Sequence, residues 1–152
     1  MIFTEILDKL KAKHEVLESK EDLGVLNAWV SAKKIKEVIG FLKNDMQFGQ
    51  LSFVTAVDLM AANNIEMVYR LFSYETKSDV VIKVKLDRAK PEIETITSIF
   101  STADWHERET SEMFGVKFLN HPDPNRLLLP DGIDMPLRKD FKCADMTPLP
   151  KV

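Results

Sequence analysis

The densest run of reactive side chains is Trp105-His106-Glu107-Arg108-Glu109, followed by Glu112, Phe114 and Gly115. On a helix, Trp105, Glu109 and Glu112 share a face, and Arg108 reaches Glu112 at i+4. Paired carboxylates in such a pattern can serve acid-base catalysis or pass protons. The same pattern also describes a solvated, charged helix face with one aromatic anchor, and residue types alone do not separate the two. His106, and His121 with Asp123, have the chemistry of metal ligands. No repeated ligand spacing or cysteine pair accompanies them, so structural histidines are expected and no metal site is assigned. His14, at a lysine-rich helix end, is expected to be solvated.

Other chemistries lack their residues. The one cysteine, Cys143, excludes an intramolecular disulfide and falls three thiolates short of an all-cysteine iron-sulfur cluster within the chain. A small buried or half-buried thiol is the expectation for it. The five glycines, at 24, 40, 49, 115 and 132, never approach GxGxxG or GxxxxGK[ST], so no phosphate-cradling loop is present. There is no GxSxG elbow, HExxH pair or Cys-x-x-Cys dithiol. A net charge of -3 with a pI near 5.7 gives no general attraction to nucleic acid or to an anionic bilayer. With 45% hydrophobic and 30% charged residues, the chain has the balance of a single globular domain with a real core.

The elements that must carry these residues follow from hydrophobic period. Phe3, Ile6, Leu7 and Leu10 lie on one face at helical spacing. After the Asp22-Leu23-Gly24 break, Val25 to Val30 reads as a strand, and Ile35, Val38, Ile39 and Leu42 predict a helix over about 32–44. The charged N-terminus lacks the apolar core of a signal peptide, and no stretch approaches the roughly 20 apolar residues that span a bilayer. Any membrane association is therefore expected through partners.

Three alternating runs follow: Leu51, Phe53, Val57 and Leu59; Ile65, Met67, Tyr69 and Leu71; and Val80, Ile82, Val84 and Leu86. Their short connections predict an antiparallel meander covered by helices. Pro91 suits the first turn of a further helix that would bury Ile93, Ile96 and Phe100. Another begins near Ala103 and ends at Gly115. The fold class expected is α+β: a two-layer domain over 1–119, its mainly antiparallel or mixed sheet covered by helices.

From Asn120 the composition changes, with six of the seven prolines at 122, 124, 130, 136, 148 and 150. A long proline-rich stretch without periodicity is either disordered or an extended arm that borrows order from a neighbour. Leu127-Leu128-Leu129 favours the arm, over 120–152, because a free tail gains nothing by exposing leucines. Packed on a partner, Arg126 and Arg138 can form bidentate pairs while the leucines are desolvated between them.

Taken together, Trp105-His106-Glu107-Arg108-Glu109, Phe114-Gly115, Phe118, His121-Pro122, Arg126, Leu128-Leu129-Pro130-Asp131 and Pro136-Leu137-Arg138-Lys139-Asp140 closely resemble the signature of the complex I 30 kDa subunit family. The resemblance is specific over about 104–141. Glu112 stands where the family usually has aspartate, and Asn120 where it usually has glycine. The 130–136 segment is one residue shorter than in typical respiratory members and lacks their tryptophan.

The resemblance implies a subunit, not an enzyme by itself, of the peripheral arm of a membrane-bound oxidoreductase, on the cytoplasmic face of the membrane. Relatives serve complexes that oxidise NADH or reduced deazaflavin and reduce quinone or phenazine. Others serve ion-translocating nickel-iron hydrogenases and formate hydrogenlyases. It implies no cofactor in this chain, with iron-sulfur clusters and flavin or nickel-iron centres in partner subunits. The implied partners are a hydrogenase-like large subunit and an iron-sulfur small subunit. The residues expected to dock them are Trp105, Glu107, Arg108, Glu109, Gly115, His121, Pro122, Arg126, Leu128, Pro130, Pro136, Leu137, Arg138, Lys139 and Asp140. A different class of role, proton relay through Glu107, Glu109 or Glu112, stands beside this one.

Overall fold

The computed structural model describes residues 2–143, so the end of the expected arm, with Pro148 and Pro150, lies outside the described residues. The elements run α1 (Ile2–Lys13), β1 (Val16–Asp22), β2 (Val25–Val30), α2 (Ile35–Asn44), β3 (Gln50–Leu59), β4 (Asn64–Ser73), β5 (Ser78–Asp87), β6 (Glu92–Glu94), α3 (Ala103–Phe114) and β7 (Lys117–Leu119). Short 3-10 turns at Ala32–Lys34 and Met60–Ala62 lead into α2 and β4. The α+β class expected from the sequence is the one observed.

Five strands form one mixed sheet in the order β1-β2-β5-β4-β3. The meander is present as predicted, with β3 antiparallel to β4 and β4 antiparallel to β5. The β2–β5 pair is parallel, because the long connection through α2, β3 and β4 acts as a crossover. Register places Leu26, Val80, Leu71 and Leu51 in line across the sheet. These are buried with Ile35, Val38, Ile39 and Leu42 of α2 and Ile6 and Leu10 of α1. On the opposite sheet face, Trp29 donates to Glu66 at 2.8 Å and the Lys83 ammonium lies 4.7 Å from the indole centroid.

Three expectations about elements are corrected. β1 has no counterpart in the sequence pattern: its residues, Val-Leu-Glu-Ser-Lys-Glu-Asp, include none that is fully buried, so an edge strand made by backbone pairing leaves no hydrophobic period to read. In β3 the shared parity of Leu51, Phe53, Val57 and Leu59 does not hold. A bulge between Leu51 and Phe53 shifts the pleat by one, so Val54, Ala56 and Asp58 point into the core and Val57 is exposed.

The third correction concerns the helix predicted after Pro91, which does not form. Glu92–Glu94 instead pairs in parallel with β7, and Ile96–Phe100 makes a single tight turn. The amides a helix would need are already committed: Thr95 N–H donates to the Leu119 carbonyl at 3.0 Å and Ile96 N–H to Glu107 Oε1 at 2.9 Å. Ile93, Ile96 and Phe100 are buried all the same.

α3 spans the predicted interval and closes on Gly115, whose φ of 76° is the left-handed conformation that glycine enters without steric penalty. A Cβ at Gly115 would also collide with the Met135 sulfur and come within 3.2 Å of Arg138 Nη2. Gly115→Ala is therefore expected to lower stability by about 1–3 kcal/mol through backbone strain and to unseat residues 135–138. Urea denaturation with amide exchange over that segment measures both.

Candidate functional site

α3, the Gly115 that closes it and the segment after β7 carry every residue expected to dock a partner. Residues 120–143 lie against the chain's own body. The structure brings together Arg108, Glu112, Gly115, Arg126, Pro130, Arg138, Lys139 and Asp140 through hydrogen bonds and close packing, and leaves Trp105, Glu109, Pro122, Leu128 and Leu137 on the surface.

Glu112 does not pair with Arg108, as the i+4 spacing suggests. Its carboxylate accepts three successive backbone N–H groups, from Leu127 and Leu129 at 3.2 Å and Leu128 at 2.8 Å. Converging amides form an anion cradle, and here the anion is the chain's own side chain. Arg108 reaches the same stretch from the preceding turn, donating to the carbonyls of Asn125 at 2.9 Å and Arg126 at 3.0 Å and lying 3.3 Å from Asp123. α3 thus presents an anion to the arm's amides and a cation to its carbonyls.

The arm is cross-braced further on. Arg126 donates to the carbonyls of Pro130 and Ile133 and pairs with Asp134. Met135 and Leu137 donate to the carbonyls of Glu112 and Met113, and Arg138 Nε donates to that of Phe114 at 2.7 Å. These carbonyls close α3 and have no partner within the helix. Pro136 is half-buried in this contact.

Two residues outside the expected set anchor the arm's far end. Asp58, 2% exposed, receives a bidentate pair from Arg88 at 2.7 and 2.9 Å and the N–H of Lys139 at 2.8 Å. Arg88 also donates to Asp140 at 2.6 Å. The Arg88 hydrogen bond, working against desolvation, pulls Asp58 down to about 2. The pairing pushes Arg88 up and holds Asp140 below the usual carboxylate range. An acid at a core position of an alternating strand is the signal that could have found Asp58, but the bulge hides its parity.

Glu107 corrects the picture of a wholly solvated helix face. It is 0% exposed, with Oε2 accepting from the Thr95 hydroxyl at 2.5 Å and Oε1 from Ile96 N–H. Burial pushes its carboxyl up to about 7, against the pull of the Ile96 and Thr95 hydrogen bonds and with the Asp104 charge adding to the rise. His121 has a side chain only 3% exposed, and its Nε2 lies 3.5 Å from both Asp104 Oδ1 and Glu107 Oε2. Among the described residues, no group of three or more His, Cys, Asp or Glu could hold a metal ion.

Outside this buried end, Trp105 is 68%, Leu128 61% and Leu137 56% exposed. A groove of about 530 Å³ opens beside Trp105, lined also by Ser101, Asp104, His106, Glu109 and Leu127. Two smaller expectations are corrected. Cys143 is exposed, and His14 is half-buried, its ring 5.2 Å from that of Phe41.

The architecture is one shared with chains of solved structures. It superposes on a chain of the membrane-bound sulfane sulfur reductase, an archaeal respiratory membrane complex, with a TM-score of 0.82 and 27% identity, covering 95% of this chain and 88% of that one. It also superposes on the trypsin-resistant fragment (1-134) of Nqo5 with a TM-score of 0.68 and 25% identity, covering 81% of this chain and 99% of the fragment.

In sequence, the family described as respiratory-chain NADH dehydrogenase, 30 Kd subunit, matches residues 28–147, and the chain belongs to that family. It is 40% identical to a subunit of the F(420)H(2) dehydrogenase of Methanosarcina mazei over 119 residues, 77% of this chain and 75% of that one. It is 39% identical to a subunit of the NADH-quinone oxidoreductase of Trichlorobacter lovleyi over 140 residues, 89% and 86% of the two chains.

Two outcomes test the constellation. Glu112→Ala removes a charged acceptor from three amides and should cost about 1–3 kcal/mol, with the amides of Leu127 to Leu129 exchanging faster than in the parent. Asp58 has a folded value below its unfolded one, so its stabilisation is full above about pH 4 and is lost as pH falls through about 2. Asp58→Asn should flatten that acid limb, which denaturation midpoints measured from neutral pH downward reveal.

Proposed function

We propose that this chain is a non-catalytic structural subunit of the peripheral arm of a complex I-like membrane-bound oxidoreductase. It binds the hydrogenase-like large subunit, beside the iron-sulfur small subunit, on the cytoplasmic face of the membrane. In this reading it carries no cofactor. Flavin, iron-sulfur clusters or a nickel-iron centre belong to its partners, through which it also reaches the membrane. No helix among the described residues is long and apolar enough to cross a membrane.

The observation that carries the reading is the exposure of Trp105, Leu128 and Leu137, with a groove beside Trp105, in the region that matches the family. Large apolar side chains left exposed are the residues a partner would desolvate. The likeness to subunits of an F(420)H(2) dehydrogenase and of an NADH-quinone oxidoreductase supports electron flow from reduced deazaflavin or NADH toward quinone or phenazine in the complex served. The equivalent place in an ion-translocating nickel-iron hydrogenase or formate hydrogenlyase is the alternative complex.

Trp105→Ala with Leu128→Ser should leave the isolated chain folded and lower recovery of the large subunit in affinity purification by tenfold or more, equivalent to at least about 1.4 kcal/mol. Undiminished recovery argues against docking here. Gln substitutions at Glu107, Glu109 and Glu112 in the assembled complex address proton relay: normal turnover with full assembly in all three removes it.

A further inference from the structure

The chain's two indoles, Trp29 and Trp105, have different company. Trp29 is complemented within the chain: its Nε1 donates to Glu66 at 2.8 Å, the Lys83 ammonium lies 4.7 Å from the ring centroid, and Lys83 stands 3.6 Å from Glu66. The ring's quadrupole attracts the cation, and the carboxylate beside both holds it there. Trp105 has acids for neighbours and no cation. Its groove is lined by Asp104 and Glu109 and by no lysine or arginine, and among the described residues neither acid is paired with one. Asp104 Oδ1 is moreover shielded from solvent without a hydrogen-bond partner.

The helix sets the spacing of these groups. Glu109 lies one turn beyond Trp105, at i+4, so carboxylate and indole share a face of α3. Leu127 adds an apolar wall, and its backbone is held in place by the Glu112 carboxylate at 3.2 Å. The groove thus offers an exposed aromatic ring, an apolar wall and negative charge. A long side chain that buries its stem and carries a cation at the tip complements all three.

The chain's own arginines are committed elsewhere. Arg70 and Arg88 pair with Asp79 and Asp58, Arg108 with Asp123 and Arg126 with Asp134, while Arg138 donates to the Phe114 carbonyl. These five are all that the sequence contains. The complement must therefore come from another chain, and arginine suits the groove better than lysine. A guanidinium stacks flat on an indole while its in-plane N–H groups bond a carboxylate, and it is more weakly hydrated than an ammonium.

We propose that the groove beside Trp105 receives one arginine side chain of the large subunit, its guanidinium stacked on the indole and paired with Glu109, with Asp104 adding negative potential. This deepens the docking reading above and rests on it. A charged contact of this kind fixes the register in which the two surfaces meet.

The test purifies the complex through a tag on the full chain and treats it with phenylglyoxal, which modifies accessible guanidinium groups. Peptide mass spectrometry then gives the reaction rate of each arginine in the large subunit. Parent, Glu109→Gln and Trp105→Leu complexes are compared, both positions being exposed in this chain. One arginine of the large subunit should be protected in the parent. In both variants that arginine alone should react about tenfold faster, the combined size of a cation-π contact and an ion pair.

The proposal is overturned if no arginine of the large subunit changes its rate in either variant, or if acetic anhydride shows a lysine responding instead. Either result leaves the docking reading intact when Trp105→Ala with Leu128→Ser still lowers recovery of the large subunit. Undiminished recovery with that pair removes the docking reading, and this proposal with it. Should a variant fail to fold or assemble, the parent still decides: arginines as reactive in the intact complex as in the dissociated large subunit overturn the proposal.

Discussion

Everything around the constellation depends on one carboxylate placed inside the core. An ionised Glu107 without partners would be prohibitive in a low-dielectric interior, and the chain meets the requirement with a hydroxyl and a backbone amide from residues 95 and 96. Those two groups are available only if residues 92–100 are not helical. The strand β6, its parallel pairing with β7, and the return of the chain to His121 are the conformation that leaves them free. α3 is thereby fixed in rotation, which turns Trp105 and Glu109 outward and Arg108 and Glu112 toward the arm.

The second anchor works by the opposite electrostatics. Asp58 is shielded from solvent like Glu107, yet it faces a bidentate guanidinium and an amide that hold it down to about 2, whereas deeper burial with only neutral donors pushes Glu107 up to about 7. The two ends of the described arm therefore sit on acids of different character. Near His121 the buried acid has only neutral donors, while at Lys139 and Asp140 the seat is an ion pair between β3, the residue after β5 and the arm.

The helices over 2–13 and 35–44, the strand at 25–30 and the strands β4 and β5 are legible in the sequence because each buries one face with a clean period. Gly115 is legible as a stop because only a left-handed residue closes that turn. What fails to show has a competing cause. β1 buries nothing fully, so backbone pairing decides it, and a single bulged residue inverts the parity of β3. Pro91 and the apolar residues after it mimic a helix that loses its amides to Leu119 and Glu107. In the site, residue types identify the participants but not their partners, since Arg108 and Glu112 find each other at i+4 on paper and find the arm's carbonyls and amides in space.

Composition beyond Asn120 predicts a segment that takes its order from a neighbour, and for residues 120–143 the neighbour in contact is the chain's own α3 and β3. That changes the energetics of any docking by this surface. A segment that folds only on binding carries the ordering entropy of its residues into the association, whereas one already braced by Glu112, Arg108, Gly115 and Asp58 does not. Bracing with polar groups also sorts the arm by chemistry. Amides and carbonyls are drawn inward to the charged side chains of α3, and the side chains of Leu128 and Leu137, having no place there, are left exposed, as Trp105 is. The exposed apolar surface is thus a consequence of internal polar satisfaction.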